Sequence, residues 1–283
     1  LIEDSGVEAI VGMHISAVRL ALVQALRGRV PYVYTPVYEG GESRRGVFLV
    51  GETPQRQLRP AIAWLSEHRR AERWFLVGND YIWPRVTHRA GVEFIAASGG
   101  RVVGEEYLPF GTEDFEACLQ CIAEARPDVV LVSMVGGDSV AFNRAFGESG
   151  LGRRILRLST AAEENTLLGI GAENTENLFY SAGYLASLQT PDNQALLDRY
   201  RAAFGTRAPM LNTIGQSCYE GMKLYAAIGA KAGALGLRSM IKAAEGTSYR
   251  GGRGPVTLTN GHIATPIYLA EADGLQFRII ERF

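Results

Sequence analysis

Short apolar runs of strand length alternate with amphipathic helical stretches along most of the chain, and few folds accept that alternation. Strands joined through helices run parallel, so the expected class is α/β with helices covering both faces of mainly parallel sheet. The pattern predicts strands at residues 7–12, 30–34 and 46–51 and helices at 17–27 and 54–68, the last with Thr53 as N-cap and Pro54 in the first helical position. A second series follows, with strands at 73–78, 101–107, 129–135 and 154–159 and helices at 84–98, 115–125 and 140–147. Helices are then expected at 192–204, 217–232 and 237–244. Asn260-Gly261 and Asp273-Gly274 are hairpin turn signals, so the chain is expected to finish in a small antiparallel set.

The predicted strands end repeatedly in Gly, Asn, Asp, Ser or Thr. Ligands of open parallel sheets bind beyond the carboxyl ends of the strands, so small polar residues there have a physical purpose. With 283 residues, 47% of them apolar, the chain can fill two cores of roughly 100–150 residues each. The 29 Lys and Arg against 30 Asp and Glu are scattered, leaving no basic stripe for nucleic acid and no polybasic membrane patch. No apolar run approaches the roughly 18–20 residues of a membrane span. The opening Leu1-Ile-Glu-Asp shows no basic and apolar leader pattern.

Chemistry-bearing motifs are sparse. Cys118 and Cys121 form a C-x-x-C inside a helical pattern, with neither a second pair nor a neighbouring His, and read as small core residues rather than a metal or redox pair. No G-x-G-x-x-G opens a helix after the first strand, and Gly136-Gly-Asp-Ser139 is too short to cradle phosphate. No G-x-S-x-G, H-E-x-x-H or Cys-His-Asp grouping stands out among only four histidines. The expectation is a protein that is not an enzyme and uses no cofactor or metal.

Gly12-Met-His-Ile-Ser-Ala-Val-Arg19, Tyr34-Thr-Pro-Val-Tyr-Glu-Gly40, Gly78-Asn-Asp-Tyr-Ile-Trp-Pro-Arg85 and Gly169-Ile-Gly-Ala-Glu-Asn174, with Arg126-Pro-Asp-Val-Val130 and Gly254-Pro-Val256, occur in family-like order. Through them the sequence resembles, over essentially its whole length, the amide- and urea-binding branch of the type I periplasmic binding proteins. The resemblance implies two Rossmann-like lobes joined by three crossings, lobe I holding residues 1–69 and 188–247 and lobe II 70–187 and 248–283. It also implies a small polar solute trapped in the inter-lobe cleft by hinge closure, and delivery to the membrane permease of an ABC transporter from a periplasmic or extracytoplasmic location. One departure is that the family carries roughly 70 further residues of βα units before the Ile-Val-Gly strand. Either the sequence begins inside an incomplete first lobe, or that lobe is smaller than usual and exposes sheet edge.

A neutral amide needs aromatic walls and a few fixed donors and acceptors rather than a charge. Tyr81 and Trp83 lie two apart just after a strand and, in an extended segment, would project to one side; the resemblance makes them walls of the ligand, while the plainer role is packing under the following helix. Ser16 and Tyr34 match first-lobe contact positions of the family, Ser16 being equally able to act as an N-cap. His14 stands where the family carries Tyr or Trp, keeping a flat ring but adding a titratable nitrogen. Thr35 is favoured over Pro36 to face the solute. Gly136 allows close backbone approach and Thr160 offers a hydroxyl. Asp80 and Asp138 read instead as helix-start or hinge residues, since a buried unpaired carboxylate facing a neutral amide is costly.

The ligand expected is urea, a short-chain amide or an amino acid. An alternative in the same fold is a cytoplasmic amide sensor that holds a transcription antiterminator and releases it on ligand binding; a tightly bound protein partner would mark it.

Overall fold

The computed structural model describes residues 2–205 and 207–283. In chain order the elements are α1 (Ile2–Ser5), β1 (Ile10–Gly12), α2 (Ser16–Leu26), β2 (Tyr32–Tyr34), β3 (Val47–Leu49), α3 (Pro54–Arg69), β4 (Arg73–Asn79), α4 (Ile82–Ala97), β5 (Arg101–Leu108), α5 (Glu116–Ala125), β6 (Val129–Ser133), α6 (Gly136–Glu148), β7 (Leu156–Ser159), α7 (Glu164–Ile170) and β8 (Leu178–Ala182). They continue with α8 (Pro191–Phe204), α9 (Thr213–Ala232), α10 (Leu237–Ala244), β9 (Ser248–Gly251), β10 (Gly254–Thr259), β11 (His262–Ile263), β12 (Tyr268–Asp273) and β13 (Gln276–Arg282). The chain divides into a first unit, residues 1–52 and 188–265, and a second, residues 53–187 and 266–283.

The first unit is built on a sheet in the order β1-β2-β3-β11-β10-β9. β1, β2, β3 and β11 run parallel, and β10 and β9 are added antiparallel. Period-two alternation sorts β2 between two faces. Tyr32 and Tyr34 pack with Val23 and Leu26 of α2, while Val33 joins Leu224 and Ile228 of α9. α9 lies close to the sheet at Gly221, where an added Cβ would stand 2.5 Å from the Thr35 methyl.

The second unit has the order β13-β12-β8-β7-β6-β4-β5, parallel from β5 to β8 and closed by the antiparallel pair β12 and β13. β6 is buried at every residue, as a strand covered on both faces must be. α3 contributes Leu58, Ala61, Ile62 and Leu65, spaced as one helical stripe, to a core with Trp74, Leu76, Leu131 and Phe179. Burying each of the larger side chains stabilises by about 1.5–3 kcal/mol. Arg157 of β7 is buried too, and its guanidinium donates to the carbonyls of Asn143, Asn174 and Glu176.

Several expectations need correction. The division at residues 69/70 fails because α3 packs on the second unit's core, and the unit boundary lies between 52 and 53. The division at 247/248 fails because β11 pairs with β3, which holds residues 248–265 in the first unit. The C-terminal strands do not form a set of their own: β9–β11 extend one sheet and β12–β13 the other. Their turns are nevertheless the two expected, with Asn260 and Gly261 both at positive φ, as a type I′ turn requires, and Gly274 at φ 61. β8 and α7 were not anticipated.

Candidate functional site

In the first unit β1 and β2 end at Gly12 and Tyr34, and α2 starts at Ser16. Ile15, not Ser16, is the N-cap residue, which leaves the Ser16 hydroxyl free of capping duty. It donates instead to Glu39 Oε2. Arg19, three residues on and so on the same helix face, reaches Glu39 Oε1 at 2.8 Å and Glu42 Oε2 at 2.5 Å. These three charged side chains are between 3% and 7% exposed. Glu42 Oε1 also accepts the backbone N–H groups of Ser43 and Arg44. The Arg19 guanidinium lies over the rings of Tyr34 and Tyr38, at 5.6 and 5.1 Å from their centroids.

His14 is half-buried, stacks on Tyr32 with centroids 5.9 Å apart, and shares a 2.7 Å hydrogen bond between Nε2 and the Tyr32 hydroxyl. Burial lowers its pKa against an opposing backbone hydrogen bond at Met13, so the imidazole is neutral at pH 7. Burial pushes the Tyr34 phenol up to about 12, and its proton is donated to the carbonyl of His14 at 2.7 Å.

In the second unit β4, β6 and β7 are adjacent and end in Asn79, Ser133 and Ser159. The Asn79 side chain accepts from Val135 N–H at 3.0 Å and donates to Asp138 at 2.6 Å, which ties the end of β4 to the start of α6. Asp138 also accepts from Gly111 N–H, and Asp80 is held by Arg85, so both carboxylates are partnered scaffold residues. Gln57 of α3 donates to the carbonyls of Thr160 and Ser181 and accepts from the Ser181 hydroxyl, fixing the ends of β7 and β8.

Around this scaffold lies a set of incomplete hydrogen bonds. Trp83 Nε1, Ser133 Oγ, Ser139 Oγ and Thr160 Oγ1 are all buried without a partner. Such a group costs about 1–3 kcal/mol and calls for an explanation. Tyr81, half-buried in the N-cap position of α4, places its ring 6.2 Å from Trp83 and 5.1 Å from Phe110.

The predicted residues therefore divide. Tyr81, Trp83, Gly136 and Thr160 gather at the strand ends of the second unit, and His14, Ser16 and Tyr34 at those of the first. Tyr81 and Trp83 do not share an extended segment as expected: Trp83 belongs to the first turn of α4 and is only 2% exposed. Gly136 is exposed at φ 58, with open space where a Cβ would be. Thr35 is withdrawn from the site, because alternation along the chain turns it with Val33 toward α9, 3.4 Å from Cys218 Sγ. Arg19, Glu39, Tyr32, Ser133 and Ser139 were missed. Tyr38-Glu-Gly40 and Arg19, one turn beyond Ser16, were visible signals for the first two.

Among the described residues no group of His, Cys, Asp and Glu is arranged for a metal ion. Cys118 is buried, and burial raises its thiol pKa; Cys121, expected in the core, is exposed. A surface hollow of about 250 Å3, lined by Val23, Arg27, Val30 and Val47 among others, takes in Tyr32 but none of the site residues predicted from sequence. No described helix is long and apolar enough to cross a membrane.

Comparison with known proteins places these features in context. A family model described as periplasmic binding protein matches residues 1–276. A protein of Brucella melitensis biotype 1 named Leu/Ile/Val-binding protein homolog 6 is 24% identical over 280 residues, covering 96% of this chain and 71% of its own. Among solved structures, a solute binding protein of an ABC transporter from Rhodopseudomonas palustris HaA2, in complex with p-hydroxybenzoic acid, superposes with a TM-score of 0.88 at 22% identity, covering all of this chain and 80% of that one. A leucine binding protein from Thermotoga maritima MSB8 gives 0.84 at 17% identity, covering all of this chain and 81% of that one.

Proposed function

The chain belongs to the periplasmic binding protein family, and from that premise we propose that it is the receptor of an ABC importer for a small, neutral solute of the amide or urea kind. Its task is to bind and hand over a solute rather than to transform one. Delivery to a membrane permease outside the cytoplasm follows from the family's periplasmic setting. The observation that carries the reading is the set of buried, unpartnered polar atoms at the carboxyl ends of β4, β6 and β7, where a parallel sheet binds its ligand. Trp83 Nε1 offers a donor and Thr160 Oγ1 a hydroxyl, while the Tyr81 ring supplies apolar cover. In the first unit the recognition residues are Ser16, with Tyr34 and His14 behind it.

The neighbours' own ligands, p-hydroxybenzoic acid and leucine, carry a carboxylate or both charges. The first unit's strand ends disfavour a solute carboxylate, because two buried carboxylates there face one guanidinium and leave a net negative charge. Calorimetric titration and thermal shift with urea, acetamide, leucine and 4-hydroxybenzoate test the proposal. A ligand at 100 times its Kd adds about 2.7 kcal/mol of stability. Stabilisation by urea or acetamide is expected; stabilisation by 4-hydroxybenzoate alone would move the substrate class to aromatic acids, and by none of the four would remove the proposal.

A further inference from the structure

We infer that Glu39 is a specificity-determining residue that fixes the hydrogen-bonding polarity of Ser16, so that this position reads an N–H group of the solute and rejects solutes that bring only acceptors. The inference rests on the receptor reading, with Ser16 as a contact, and names the chemistry required there. A serine hydroxyl has one proton and two lone-pair directions, and it normally rotates to suit its partner. Here the rotation is spent. Glu39 Oε2 takes the Ser16 proton, and a carboxylate outcompetes a neutral acceptor for it. The carboxylate cannot turn away, because Arg19 Nη2 holds its other oxygen at 2.8 Å and is itself anchored by Glu42. Tyr34 offers no donor in exchange, since its proton is committed to the carbonyl of His14. What the Ser16 hydroxyl has left to offer a solute is a lone pair. A primary amide, urea or an ammonium satisfies it; a carboxylate or a tertiary amide leaves two acceptors facing each other.

The same geometry predicts an inversion. In Glu39→Gln the amide oxygen must face Arg19, which can only donate, so the NH2 group turns toward Ser16. Ser16 then accepts from residue 39 and directs its own proton to the solute.

The test is calorimetric titration with acetamide, with acetate, which matches it in size but has no N–H, and with N,N-dimethylacetamide, which replaces both N–H groups by methyls. For the unmodified protein, acetamide is expected to bind at least about tenfold more tightly than either of the others, since a polar site penalises an analogue that leaves its groups unpaired. Glu39→Gln is expected to cut that ratio by about tenfold or more, with far-UV circular dichroism confirming its fold. Ser16→Ala should remove most of the preference without inverting it. Equal binding of acetamide and N,N-dimethylacetamide by the unmodified protein overturns the inference while leaving the receptor reading intact. An unchanged ratio in folded Glu39→Gln also overturns it. If the unmodified protein binds none of the three, nor urea or leucine, both the receptor reading and this inference fall.

Discussion

Replacing Arg253 with Met is expected to destabilise the first unit severely. The guanidinium donates through Nε and Nη2 to Glu220 at 2.9 and 2.6 Å, and through Nη1 to Glu52 at 3.0 Å. The three side chains are 2%, 0% and 5% exposed. Burial alone would weaken the Arg253 charge, but Glu220 and then Glu52 more than offset it and raise its pKa above the ordinary value. Met fills similar volume, so little cavity forms, and the loss is electrostatic. It leaves two carboxylates in a water-poor setting, with Tyr249 and Gln216 still donating to Glu220. Removing one partner of a buried pair costs about 3–5 kcal/mol. At about 2–4 °C per kcal/mol, the thermal midpoint should fall by about 6–20 °C. Thermal and urea denaturation followed by far-UV circular dichroism measures it. Arg253→Lys should be intermediate, and Arg253→Met combined with Glu220→Leu less damaging than Arg253→Met alone. A loss below about 1 kcal/mol for Arg253→Met would refute the view that this network holds buried charge in balance.

Other expectations follow from the same physics. Thr160→Val and Ser133→Ala remove buried hydroxyls that have no protein partner, so each should leave stability within about 1 kcal/mol of the parent or raise it. If Thr160 reads the solute, its variant should nonetheless bind at least about fivefold more weakly by calorimetry; lost stability with unchanged affinity would make the residue structural. His88 is fully buried, and burial, the dominant cause, lowers its pKa against the raising effect of Glu105. Since the unfolded chain then takes up the proton first, stability is full above about pH 6.5 and declines as pH falls from there toward the lowered folded value. His88→Phe should flatten that decline in denaturation curves taken from pH 8 to 5; an unchanged profile would assign it to other groups.

The order of strands and helices was legible because periodicity is a local property. α10 falls on the predicted residues, and α2, α3 and α5 within one residue of them at each end. The turn residues were legible too, since Asn260-Gly261 demands a conformation that few other pairs accept. What could not be read was which sheet each hairpin joins, a matter of pairing between distant segments. β11 joins the first unit's sheet where His262 lies opposite Leu49, about 210 residues away in sequence. Site residues failed in the same way. Thr35 is polar and ends a strand, yet its face is decided by α9, about 180 residues away, and by a glycine that lets the helix approach. Ser16 opens α2 as its sequence position suggests, but its hydroxyl bonds Glu39, whose side chain returns from the loop after β2 and could not be paired with it from local pattern.

The most direct measurement is a crystal structure of the protein grown with acetamide or urea. The solute is expected at the carboxyl ends of the second unit's parallel strands, within hydrogen-bonding distance of Trp83 Nε1 or Thr160 Oγ1. A solute bound only at the surface hollow beside Val23 and Val47, with those two polar atoms still unpartnered, would contradict it.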